Sequence, residues 1–101
     1  MATELTKLKR KRTAKKNVCL KGLLTDANKL LVESSTKSKT QETIEKATAM
    51  MAAIDQIGKE VKTLDELVAD LIDDEDGVTT NEEEAMLFQM KLFKVVAKLK
   101  S

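Results

Sequence analysis

The stretch ATAMMAAIDQIGKEVKTLDELVADLI, residues 47–72, decides the fold. Within it Ala47, Met50, Ile54, Ile57, Val61, Leu64, Val68 and Leu71 follow one another at spacings of 3, 4, 3, 4, 3, 4 and 3. Apolar residues at that repeat place one unbroken stripe on one side of an α-helix, the seam along which helices pack side by side. Met51, Leu67 and Ile72 widen the stripe, so the helix has apolar surface for two neighbours rather than one. Upstream, Ser38 and Gln41 have the spacing of a capping box, with Thr40 as the competing N-cap. The expected helix runs from about residue 40 to about 74. Gly58 falls inside it. A mid-helix glycine costs about 1 kcal/mol relative to alanine, and here it flanks the seam, where it would let another helix approach closely.

Two further helices are legible. Leu5 and Leu8, then Leu20, Leu23, Leu24, Ala27, Leu30 and Leu31, make a stripe interrupted by KRKRTAKKN. With Thr3 as N-cap and ESSTKSK (33–39) as the polar break, this reads as one helix over about 3–33. Downstream, Ala85, Phe88, Leu92, Val95 and Leu99 repeat at 3, 4, 3 and 4, and Met86, Met90, Phe93 and Val96 form a second strip. Thr80 with Glu83 and Asn81 with Glu84 have capping-box spacing, which places this helix at about 81–100. Its glutamates lie where the helix dipole favours negative charge and its lysines where it favours positive charge. The pattern is still running at Ser101, which reads as one piece of a longer polyprotein or domain.

Composition agrees. The 101 residues include no Pro, Trp, Tyr or His, only three Gly, and two Phe as the sole aromatics. A chain so poor in breakers lacks the turns of an all-β fold, and its core must come from Leu, Ile, Val, Met and Ala, which suits a narrow helix–helix seam. The expected fold is therefore all-α: one domain, an antiparallel coiled-coil helical hairpin with a shorter third helix. A single cysteine, Cys19, excludes an internal disulfide and a multi-cysteine metal site. It reads as a small apolar residue, with lysines nearby that could lower its pKa but no acid–base partner. Lacking His, the chain has neither the usual general base nor the commonest zinc ligand. No enzyme, cofactor or metal is expected. No apolar run approaches the ~20 residues of a membrane helix, and no signal peptide opens the chain, so no membrane is expected either. The expected location is cytoplasmic, with the nucleus as the alternative if the basic run is an address.

DDEDGVTTNEEE, residues 73–84, has the look of a calcium loop. With Gly77 at position 6 of such a loop, Asp74, Asp76, Thr80 and Glu83 fall at positions 3, 5, 9 and 12. Position 1 is then Ile72, which offers no oxygen, and position 8 is Thr79 where an apolar residue belongs. The reading preferred is a turn, with Gly77 supplying a positive φ as helix stop and Thr80 and Asn81 capping the next helix.

The net charge of +1 conceals a polar division. Lys7, Lys9, Arg10, Lys11, Arg12, Lys15, Lys16 and Lys21 crowd the first 21 residues, while residues 65–84 hold ten acids and no base. An antiparallel hairpin sets these blocks side by side, and their pairing across it would select the register. The alternative is phosphate contact with a nucleic acid, which needs no aromatic residue, although base stacking would.

LKRKRTAKKNVCLKGLLTDANKLL (8–31), LDELVADLIDDEDG (64–77) and NEEEAMLFQMKLFKVV (81–96) together resemble an N-terminal helical region of Pao/BEL-type retrotransposon polyproteins. The similarity lies in the basic Leu–Lys/Arg opening, the Leu24–Thr25 step and the acidic start of the third helix. The family's usual aromatics in that helix are replaced here by Met86, Leu87 and Phe88. The resemblance covers about residues 5–99 and implies a Gag-like, non-catalytic segment, with no catalytic residue to carry over. The expected function is a protein–protein interaction or assembly module, joining a protein partner or a second copy through helical faces. The alternative is a nucleic-acid-binding module using residues 7–21.

Overall fold

The computed structural model describes residues 3–36 and 40–100. The chain is all-α: α1 (Glu4–Val18), a π-turn (Cys19–Leu23) and α2 (Leu24–Thr36) form one rod, followed by α3 (Gln41–Leu71) and α4 (Glu75–Lys100). Among the described residues there is no strand. Contacts between Arg12 and Asp65 and between Lys15 and Glu60 set the first rod antiparallel to α3. Contacts of Asn81 with Asp65 and of Gln89 with Gly58 set α4 antiparallel to α3 in turn. The bundle measures 53 × 25 × 16 Å, as expected for side-by-side helices when α3 alone, at 31 residues, is about 46 Å long.

Each helix start has a local cause. The Thr3 hydroxyl accepts from the Thr6 N–H at 3.2 Å, and Thr40 does the same for Thr43. Both satisfy N–H groups that the first turn leaves without intrahelical partners. Thr40 is thus the N-cap of α3; the rival cap Ser38 lies outside the described residues. The first rod continues to Thr36, three residues past the expected stop. Its π-turn closes with the Leu24 N–H on the Cys19 carbonyl, a wider loop that inserts one extra residue and re-phases the charged half of the rod against its leucine-rich half.

The acidic stretch folds differently from the expectation. α4 begins at Glu75, six residues before Asn81. The Asp74 carboxylate accepts from the Gly77 N–H at 2.7 Å and caps it, so Thr80 and Asn81 are interior residues of the helix. Gly77 has no positive φ. Glycine is needed there for room: a Cβ would stand 2.8 Å from both the Asp74 carboxylate and Ile72 Cγ2. The turn is only residues 72–74, and the oxygens that would ring a calcium ion are strung along a helix instead.

The core joins all three helical layers: Cys19, Leu24, Ala27 and Leu30 from the first rod, Ile54 and Val61 from α3, and Phe88, Leu92 and Leu99 from α4. On the predicted seam, Ile54, Val61, Leu64 and Val68 are buried, Ala47, Met50 and Ile57 are half-buried, and Leu71 at the end is exposed. The half-buried positions follow from α3 serving two partners, so that its buried arc is broader than one stripe. Gly58 is buried on that arc. A Cβ on it would meet Leu92 Cδ1 at 3.0 Å, and the Gln89 amide donates to its carbonyl at 2.9 Å. Its missing side chain is what lets α4 come this close.

Candidate functional site

Two features stand out against this frame, one inside the bundle and one outside. The inner one is a polar triad with one member from each layer. Arg12 of α1 donates through Nη1 to Asp65 Oδ1 of α3 at 2.9 Å and to Asn81 Oδ1 of α4. The Asn81 amide donates in turn to the Asp65 backbone carbonyl at 3.2 Å. The side chains of Arg12 and Asp65 are 10% and 8% exposed. Asp65 Oδ2 is buried and accepts no hydrogen bond from any described residue. A charge pair this deep gains little net stability over apolar packing, but it penalises any register that separates its members. It ties the three helical layers together at one point.

One turn further along, Lys15 bonds Glu60 at 3.0 Å. That hydrogen bond, then one from Gln56 and the Coulombic pull of Lys15, holds the Glu60 carboxyl below the ordinary glutamate range. The Lys16 ammonium lies 5.2 Å from the ring centre of Phe88, a cation–π distance. The basic block is therefore divided. Arg12, Lys15 and Lys16 turn inward, while Lys7, Lys9, Arg10, Lys11 and Lys21 are exposed. The aspartates at the end of α3, Asp70, Asp73 and Asp74, are exposed, and the deep pairing goes to Asp65 instead. Cys19 is fully buried in the core, and that burial raises its thiol pKa.

The outer feature is the solvent face of α4. Met86, Leu87, Met90 and Phe93 are 65, 60, 48 and 73% exposed. With Ala97 they cover one side of the helix over three turns. Toward α3 this face dips into a groove of about 740 Å3 with Ile54, Gly58 and Leu92 in its floor and Lys59 and Lys62 among its walls. Single exposed apolar residues are ordinary on a protein surface, but a contiguous apolar strip rimmed by charge marks a contact surface. Of the two strips expected on this helix, the structure buries Phe88, Leu92 and Leu99, half-buries Ala85, Val95 and Val96, and leaves Met86, Met90 and Phe93 in solvent. Among the described residues no cluster of His, Cys, Asp or Glu converges to hold a metal ion, and no helix is long and apolar enough to cross a membrane.

The heptad positions hold the signal that would have found the triad. Residues 5, 8, 12, 15 and 19 keep a 3, 4, 3, 4 spacing with Arg12 at the centre. Residues 54, 58, 61, 65 and 68 run at 4, 3, 4 and 3 with Gly58 and Asp65 as members, and stepping back four from Ala85 reaches Asn81. A polar residue at a seam position is a mark of helix register. Comparison of the chain with protein families, curated proteins and solved structures finds no match.

Proposed function

We propose that the protein is a non-catalytic interaction and assembly module that presents the outer face of α4 to a protein partner. The observation that carries this reading is the strip Met86, Leu87, Met90 and Phe93, solvent-exposed on a bundle that buries its other α4 aromatic, Phe88. In this reading the first rod and α3 are the antiparallel coiled-coil hairpin that the 3–4 seam leads one to expect, held in register by Arg12 and Lys15, with α4 as the working surface laid along it. The resemblance to Pao/BEL-type polyproteins supplies the biological setting, a Gag-like segment.

Site-specific photo-cross-linking tests it. A photoreactive phenylalanine analogue at position 93, expressed in cells, is expected to give a discrete protein adduct. The same group at Thr13, on the polar outer face of α1, is expected to give none. Equal or absent labelling at both positions refutes the reading.

A second reading has its own observation. Lys7, Lys9 and Arg10 are exposed on α1 and make no ion pair with a described residue. These are free cations for phosphate contact, and the reading stands or falls on salt-dependent nucleic-acid binding.

A further inference from the structure

Resting on the interaction reading, we infer that the occupant of the α4 face is a second copy of this chain, with the two α4 helices antiparallel across a two-fold axis near Met90. The argument is the distribution of charge along α4. From residue 75 to 84 the helix carries Glu75, Asp76, Glu82, Glu83 and Glu84 and no base; from 85 to 100 it carries Lys91, Lys94, Lys98 and Lys100 and no acid. Its apolar strip, Met86 to Ala97, begins just past that boundary and runs through the basic half. A helix built this way is complementary to itself in one orientation. Laid parallel, two copies oppose acid to acid and lysine to lysine, which is unfavourable at both ends. Laid antiparallel about Met90, residues 82–84 of each copy come beside residues 96–98 at the lysine-bearing end of the other, while Met90 meets Met90 and Phe93 meets Leu87 in the middle. An isologous two-fold contact requires such self-complementarity, and it closes at the dimer.

The dipole term acts in the same direction. Antiparallel helices place each N-terminus beside the other's C-terminus, so the acid–lysine contacts and the backbone dipoles favour one arrangement. The strip is open to solvent along α4, and on its α3 side it borders the groove beside Gly58.

Glu83 and Ala97 are both exposed and each lies seven positions from Met90, so the two-fold brings residue 83 of one copy beside residue 97 of the other. Two copies of residue 97 are then about 21 Å apart along the axis. The experiment mixes Glu83→Cys and Ala97→Cys chains with a short bis-maleimide; native Cys19 is buried and stays out of reaction. Cross-linked dimer from the mixture but not from Ala97→Cys alone is expected. Sedimentation equilibrium of the native chain is expected to reach twice its 11.2 kDa mass, and Phe93→Glu is expected to weaken that association about tenfold or more with an unchanged helical circular-dichroism spectrum. Ready linking of Ala97→Cys to itself would mean parallel pairing and overturn the inference. So would a monomer at all concentrations that forms no links. In that case a photo-adduct at position 93 with a different protein leaves the interaction reading standing, and the absence of any adduct removes both.

Discussion

Replacing Arg12 with Met is the sharpest test of how the bundle holds its register. The substitution keeps most of the side chain's volume and removes its charge. What remains is the Asp65 carboxylate, 8% exposed, with no donor: the Asn81 amide serves the Asp65 backbone carbonyl, and Oδ2 already lacks a partner. Breaking a buried pair from one side costs about 3–5 kcal/mol, out of a total stability of about 5–15 kcal/mol for a domain of this size. Followed by circular dichroism at the helix band, the urea midpoint should fall by about 1–3 M. Salt should recover little of it, because a pair out of solvent is weakly screened.

The mirror variant, Asp65→Leu, should cost less, since the Arg12 side chain is long enough to carry its guanidinium toward solvent and Leu is the better helix former. The double variant Arg12→Met with Asp65→Leu replaces the pair by apolar contact. It should lie well above the sum of its parts, with a coupling energy of about 2 kcal/mol or more. Some loss should persist, because Asn81 Oδ1 forfeits its donor, at about 1–3 kcal/mol. If Arg12→Met costs under about 1 kcal/mol and the two changes simply add, the triad is solvated and the argument for register fails.

The three glycines should separate by surroundings. Gly22→Ala meets nothing within 4 Å and should stabilise by up to about 1 kcal/mol. Gly77→Ala should destabilise by crowding the Asp74 cap, and Gly58→Leu should cost about 2 kcal/mol or more by wedging α4 off α3; thermal melts of the three read this directly. Glu60 should titrate below the ordinary glutamate range by NMR, and Lys15→Ala should move it back up. Because its folded pKa is depressed, the stability it contributes is present above the unfolded glutamate pKa and lost as pH falls through the folded one. If the basic block serves nucleic acid, Lys7→Glu with Arg10→Glu should abolish a binding whose affinity falls steeply with salt, while leaving the urea midpoint unchanged; no salt-dependent binding by the native chain removes that reading.

How much of this was legible beforehand depends on what kind of interaction each residue makes. The α3 stripe was plain because burial of Ile54, Val61, Leu64 and Val68 is a one-dimensional property, recorded as period. The close approach at Gly58 was legible too, since a glycine beside a seam has few other uses in a helix. The start of α4 was not. Gly77 near a cluster of acids has the appearance of a helix stop, and only the position of Asp74 makes it the third residue of a helix start. The inward turn of Arg12 escaped for a related reason: within KRKRTAKK six of the eight residues are cations, and nothing local distinguishes the one that meets Asp65, 53 positions away, from neighbours that meet water. Heptad phase makes the distinction, but Arg12 takes part in it only once Leu5, Leu8 and Cys19 are counted as one stripe.

The same phase argument explains why the apolar strip on α4 is informative rather than incidental. Asn81, Ala85, Phe88, Leu92, Val95 and Leu99 are enough to hold α4 against both neighbours, and they take up its inward arc. Met86, Leu87, Met90 and Phe93 lie outside that arc and keep about half or more of their surface in solvent. Left in water, large apolar side chains favour any contact that removes them from it. The charges of α4 are sorted by position along its length, acids before the strip and lysines within and after it, so the contact they permit is selective in direction. The buried triad fixes how the helices of one chain align. The outer face of α4 has the corresponding equipment, an apolar centre between opposite charges, for aligning one chain with another.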